Sequence, residues 1–208
     1  MKILLLNPGL GNLGSIKSAL DLLGFDFVTL KNYEPGINLS EYSSFILPGV
    51  GSFEYGIQQI KLRGLDKLIN NLNIKNIRGL GICLGMQIFM ESSTESTQSK
   101  ALGLGLIKGN VNLLNSDDSW VPNVGWCETE FKKYLDKNYN QDIKKDFYYV
   151  HSYAAEPTYS ENILCTTKHG EKNIVSGVCK DNLFGIQFHP EKSHDDGLGL
   201  INSILKSS

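Results

Sequence analysis

Cys83 stands between two glycines in Gly81-Ile82-Cys83-Leu84-Gly85, where an apolar run gives way to a helical pattern. A sharp strand-to-helix turn holds its central residue at a strained backbone position, leaves no room for flanking side chains, and presents a nucleophile at the C-terminal edge of a sheet. A helix opening near Leu84 adds the positive end of its dipole, which favours thiolate over thiol. The competing reading is a cysteine buried in a packed strand, the commoner fate of a lone thiol. A nucleophilic thiol also needs a base within about 3 Å and a third group to orient that base. Phe188-His189-Pro190-Glu191 follows the apolar run Leu183 to Phe188, and its His189 and Glu191, two residues apart, share one side of an extended segment. Without Cys83 the pair would be a surface histidine beside a solvated glutamate; with the elbow present, a Cys83-His189-Glu191 relay is the better reading. A third segment, Leu47-Pro48-Gly49-Val50-Gly51-Ser52-Phe53, is a glycine-rich turn after a strand, where backbone N–H groups can approach a developing oxyanion.

Gly9, Gly11 and Gly14 form a G-x-G-x-x-G between a strand and a helix, the placement a dinucleotide fingerprint demands. The acidic residue that should hold the ribose at the end of the second strand is missing, since that strand ends Leu30-Lys31-Asn32. A tight turn for its own sake and some other loop-borne role both stay open.

The elements that must carry these residues alternate. Short apolar runs at Ile3 to Leu6, Phe25 to Leu30, Phe45 to Leu47 and Leu80 to Cys83 read as parallel strands joined by helices. The helix between the first two places Leu13, Ile16, Ala19, Leu20 and Leu23 on one face and stops at Gly24. Beyond about residue 105 the runs Val111 to Leu114, Val124 to Phe131, Phe147 to Val150, Ile163 to Thr167, Ile174 to Cys179 and Leu183 to Phe188 read as hairpins and sheet extensions, closed by a helix from Leu198 to Leu205. Glu91 to Lys100 and Lys132 to Lys145 are polar and read as exposed loops or short helices.

A chain of 208 residues can bury a core without covalent staples. Twenty basic against 22 acidic side chains leave a net charge of −2, which offers no field for nucleic acid. The four cysteines, Cys83, Cys127, Cys165 and Cys179, show no metal-ligand spacing, so no metal is expected and reduced thiols fit a cytoplasmic protein. The apolar stretch after Lys2 is too short for a signal peptide or a membrane span.

Taken together, G-I-C-L-G-M-Q at Gly81 to Gln87, P-G-V-G at Pro48 to Gly51 and F-H-P-E-K-S at Phe188 to Ser193 resemble the motifs of the class I, or triad, glutamine amidotransferases. Within that family the chain is similar over nearly its full length to the glutaminase subunits of imidazole glycerol phosphate synthases, including Gly9 to Leu13, Val150-His151-Ser152-Tyr153 and Gly125-Trp126. The resemblance implies a single domain over residues 1–208: a flavodoxin-like α/β fold, an open, mostly parallel sheet flanked by helices, with β-rich additions in the second half. It implies no cofactor and L-glutamine as substrate. Cys83 would attack the side-chain amide, His189 would pass a proton to the leaving ammonia, and Glu191 would orient the imidazole. Gly49, Gly51 and the Leu84 amide would build the oxyanion hole, after a peptide flip in the P-G-V-G turn, while Gln87, Glu95, Ser152 and Tyr153 would hold glutamine. Asn12, Trp126 and Lys192 would face a (β/α)8-barrel cyclase and its ammonia channel in a heterodimer. Two departures fall near that interface. Pro122-Asn123-Val124-Gly125-Trp126-Cys127 stands where histidine-pathway members usually read P-H-M-G-W-N, and Asn7 replaces the usual acid of the first loop. A paralogous subunit feeding another synthase, such as one amidating a surface sugar, is therefore the alternative. A cysteine protease or small-amide hydrolase, a dinucleotide-binding module and a catalytically silent partner subunit are the readings from other classes.

Overall fold

The structure, a computed structural model, describes residues 2–206 apart from 12, 97–99, 116 and 118. Along the first half run Lys2–Leu6 (β1), Gly14–Leu22 (α1), Asp26–Leu30 (β2), Ser44–Gly49 (β3), Phe53–Leu62 (α2), Leu65–Ile74 (α3), Arg78–Cys83 (β4) and Leu84–Phe89 (α4). There follow Ser92–Ser93 (β5), Ala101–Leu102 (β6), Gly109–Leu113 (β7), Asn123–Phe131 (β8), Lys144–His151 (β9), Tyr153–Pro157 (β10), Ile163–His169 (β11), Lys172–Lys180 (β12), Leu183–Ile186 (β13) and His194–Lys206 (α5).

The main sheet has nine strands in the order β2-β1-β3-β4-β13-β12-β11-β8-β9. It is parallel from β2 to β13 and antiparallel from β13 outward to β9. The apolar strands β1, β3 and β4 are buried on both faces, as parallel strands between helical layers must be, while β2 at the sheet edge is only partly covered. Ile3 and Leu5 of β1 join Ile16 and Leu20 of α1 and Leu200, Ile201 and Ile204 of α5 in one core. Leu4 and Leu6 turn the other way, onto Ile57 and Ile60 of α2, Leu68, Ile69 and Leu72 of α3 and Leu84 and Ile88 of α4. A second, smaller sheet, β10-β7-β5-β6, is built from strands between Ser92 and Pro157.

Two sequence expectations need correction. Glu91 to Lys100 is not simply an exposed loop, because Ser92 and Ser93 form β5 and are buried. Lys132 to Lys145 likewise buries Tyr139, whose hydroxyl donates to the Asp196 carbonyl at 2.5 Å. A polar stretch can be drawn into an interior when its hydroxyls find partners there. No helix among the described residues is long and apolar enough to cross a membrane.

The sheet's register is what assembles the motifs. Gly49 of β3 pairs beside Cys83 of β4, and Ile186 of β13 pairs beside Ile82, so the glycine-rich turn and the H-P-E segment leave the sheet on either side of the thiol. This is the carboxyl edge of the parallel strands, where open α/β sheets bind ligands.

Candidate active site

Cys83 is the hinge between β4 and α4 and has φ 53 and ψ −113, outside the ordinary regions for a residue with a side chain. The elbow is this tight because α4 sits directly on β3. A side chain at Gly85 would place its Cβ 1.8 Å from the Leu47 carbonyl oxygen, so only hydrogen fits there. At Gly81 a Cβ would fall 2.8 Å from the Gly85 backbone. The helix that follows is a short one of six residues, so the Leu84 N–H at its start contributes more than a long macrodipole would.

His189 follows β13, and its backbone N–H donates to the Tyr148 carbonyl of β9 at 2.9 Å. Ser193 braces the turn: its hydroxyl donates to the His189 carbonyl at 2.6 Å and accepts from the Tyr148 N–H at 3.0 Å. The ring Nδ1 of His189 donates to Glu191 Oε1 at 2.9 Å, with both side chains almost fully buried. That bond leaves Nε2 to face the thiol. Nε2 is buried and makes no strict hydrogen bond, and Cys83 is the near group that acts on it. Burial by itself disfavours the imidazolium, but the hydrogen bonds and charge of Cys83 and Glu191 outweigh it and push His189 up to about 9. A ring so disposed is placed to exchange a proton with the Cys83 sulfur.

Both face a pocket of about 370 Å³ lined by Val50, Gly51, Cys83, Leu84, Gln87, Glu95, Pro122, Val150, His151, Ser152, Tyr153 and His189. Of the residues expected from sequence, Gly51, Leu84, Gln87, Glu95, Ser152 and Tyr153 thus meet at the thiol. Gly49 and Glu191 sit just behind it, lining a small adjoining cavity with Val50 and His189. Gly51 has φ +106, which gives the turn a conformation that side chains rarely adopt. Glu95 accepts from the Phe53 N–H at 2.9 Å, and burial raises its carboxyl above the usual range against that bond.

A protein-family model described as "Glutamine amidotransferase class-I" matches residues 4–202. The chain belongs to the class I glutamine amidotransferases. The imidazole glycerol phosphate synthase subunit HisH 2 of Methanococcus maripaludis is 37% identical over 210 residues, 99% of this chain and 100% of that protein. The HisH subunit of Saccharolobus solfataricus is 40% identical over 198 residues, 95% of this chain and 94% of its own. Among solved structures, a glutamine amidotransferase from Thermotoga maritima superposes with a TM-score of 0.69 at 16% identity, covering 100% of this chain and 99% of that one, which speaks for the fold.

Outside the pocket of this amidotransferase, β8 and β9 present an exposed apolar ladder. Trp126 is 49% exposed, stacks on His194 with ring centres 5.0 Å apart and lies edge-on to Tyr148 at 6.2 Å. Lys192 reaches over the same Tyr148 ring at 5.9 Å, so Trp126 and Lys192 share one surface. Asn12 lies outside the described residues. Three site residues escape a reading by motif role: Ser193, which braces His189; His151, which lines the pocket; and Gln187, whose Nε2 donates to Cys83 Sγ at 3.6 Å. The one signal for Gln187 is its place directly before Phe188-His189.

Proposed function

We propose that this amidotransferase is the glutaminase subunit of an imidazole glycerol phosphate synthase, hydrolysing L-glutamine and passing the ammonia to a (β/α)8 cyclase partner in the cytoplasm. The whole chain acts as one amidotransferase domain. The observation that carries the chemistry is the convergence of Cys83, the His189–Glu191 pair and the Gly51 and Leu84 backbone on one pocket. Full-length relatives named as HisH subunits support the pathway.

The Cys83 sulfur attacks the carboxamide carbon of glutamine, and the carbonyl oxygen takes up the negative charge. The Leu84 N–H and an N–H of the Gly49 to Gly51 turn stabilise that oxyanion, the turn first rotating a peptide to aim its donor. His189 delivers its Nε2 proton to the departing nitrogen while Glu191 keeps the ring in place, so ammonia leaves and a glutamyl thioester remains. His189 then takes a proton from water, the hydroxide attacks the thioester, and glutamate and the thiol are regenerated. Gln87, Glu95, Ser152 and Tyr153 hold the substrate's polar ends. The apolar ladder of Trp126, Tyr148, Val124 and Val150, with Lys192 beside it, forms the face that meets the cyclase. It runs into the pocket through Val150, which gives ammonia a short route to the partner.

The test is glutamate release with and without the cyclase and its nucleotide substrate. Slow hydrolysis by the isolated chain, strong stimulation by the occupied partner and glutamine-dependent imidazole glycerol phosphate formation are expected. A fast, unstimulated monomer would make it a free-standing amidase, and stimulation only by another synthase would move it to a different pathway.

A further inference from the structure

We infer that Gln187 is a further catalytic residue of this glutaminase, holding a side-chain N–H donor against the Cys83 sulfur through a hydrogen-bond chain whose direction is set by the Tyr153 carbonyl. The inference rests on the glutaminase reading for its role in turnover, but its geometry stands alone.

The Tyr153 carbonyl, at one end of this hydrogen-bond chain, can only accept. The Tyr153 carbonyl oxygen is met from one side by Gln87 Nε2 at 3.2 Å and from the other by His151 Nδ1 at 2.8 Å. A carbonyl has no proton to give, so both neighbours must donate, and this fixes the Gln87 amide orientation and the His151 tautomer. The second Gln87 Nε2 hydrogen goes to Gln187 Oε1 at 2.9 Å. With its oxygen so engaged, Gln187 can only turn its nitrogen to Cys83, where Nε2 and Sγ are 3.6 Å apart. On the far side His151, protonated at Nδ1, offers Nε2 as an acceptor to Asn123 Nδ2 at 3.1 Å, and Asn123 Oδ1 in turn accepts from the Cys127 thiol at 3.7 Å. The donors thus diverge at Gln87, which gives one hydrogen to the carbonyl and the other to Gln187, and Gln187 in turn gives its own to the nucleophile.

Gln187 is fully buried, and its backbone N–H donates to the Ser176 carbonyl at 2.8 Å. A buried carboxamide whose donor points at a thiol favours the charged sulfur, because a hydrogen bond to the ionised form lowers the work of ionising it. The titratable groups around the sulfur are His189 with Glu191 behind it, and Glu95, His151 and Tyr153 on the pocket wall. Gln187 adds a neutral donor to these ionisable groups, and Gln87 uses both of its amide hydrogens on Gln187 and the Tyr153 carbonyl.

The experiment is the pH dependence of Cys83 alkylation by iodoacetamide in the full chain, read by peptide mass mapping so that Cys127, Cys165 and Cys179 are scored separately. Gln187→Met keeps the side-chain length and removes the donor; the Cys83 midpoint is expected to rise by about one pH unit. At neutral pH kcat for glutamine then falls about tenfold and recovers in alkali, with KM within about twofold of wild type. Gln187→Glu, which sets a carboxylate against the sulfur, raises the midpoint further. As a measurement that needs no variant, the side-chain amide signal of Gln187 in nitrogen-15 spectra shifts through the same midpoint in the wild-type chain. An amide signal indifferent to Cys83 ionisation, or folded variants with an unmoved midpoint, would overturn the proposal. A Gln187-dependent midpoint in a chain that releases no glutamate, even with its partner, supports the amide–thiol pairing and overturns the glutaminase reading instead.

Discussion

Cys83 depends on its backbone as much as on its sulfur. Its φ of 53 and ψ of −113 store strain of the order of 1–3 kcal/mol, a conformation that persists only where the surroundings enforce it. The other three thiols are pushed up by burial, Cys165 to about 12, so they offer little thiolate at neutral pH. A diazo-ketone analogue of glutamine should therefore label Cys83 alone, and adducts mapped to Cys127, Cys165 or Cys179 would contradict the assignment. Cys83→Ser should lose glutamine hydrolysis by a factor of about 10³ or more while added ammonia still sustains the cyclase reaction. His151 yields a different expectation. Burial, against the pull of the Tyr153 carbonyl, and the nearby His169 and His189 bring its pKa from 6.5 down to about 4. Between those values the unfolded chain binds a proton that the folded chain refuses, so stability falls as pH drops from 6.5 towards 4, by on the order of 3 kcal/mol from this group. His151→Gln removes the titration, and urea unfolding across that range should show a shallower acid loss than wild type. Equal slopes would mean that His151 takes up its proton in the folded state as readily as in the unfolded one.

At the level of elements, the site is made by two contacts between segments. The first is α4 lying on β3 through Gly85, which sets the angle of the elbow. Gly85→Ala drives a Cβ into the Leu47 carbonyl, a backbone atom that cannot rotate away, and should cost about 3 kcal/mol or more along with nearly all glutaminase activity. Thermal melting and glutamate release report the two losses, and a variant of wild-type stability would show that α4 has room to move. The second contact is the first glycine-rich loop against the P-G-V-G turn, where a Cβ at Gly11 would fall 2.8 Å from Val50 Cγ2. That loop, which resembles a nucleotide cradle in sequence, here backs the turn that lines the pocket.

Taken whole, the molecule divides its labour across the sheet. The parallel half carries Cys83 and leads into His189, while the antiparallel extension adds Phe131, Phe147 and Tyr149 to one core and carries Trp126 and Tyr148 out to a surface beside the pocket. Trp126 contributes to neither core. Trp126→Ala should leave the melting temperature of the isolated chain within a few degrees of wild type but weaken cyclase binding by about 30-fold, the scale of an aromatic hot spot. Calorimetric titration with the cyclase distinguishes this from a structural role, for which melting would fall and binding would hold.

The sequence by itself put forward Cys83, His189 and Glu191 and their order, and it determined the alternating strands and helices. Each of these is written locally, in glycines flanking a cysteine, a histidine two residues from a glutamate, and apolar periods of a few residues. Tertiary structure decided what those residues touch. Gln187 meets Cys83 across 104 positions and Gln87 across 100, contacts set by the register of β13 on β4 that no local pattern encodes. The same holds for Ser92 and Tyr139, polar or amphipathic residues in hydrophilic stretches that are drawn inward where Asn110 and Asp196 complete their hydrogen bonds. Hydrophobic period tells a segment which face to bury, but partner and register follow from the summed fit of the whole sheet.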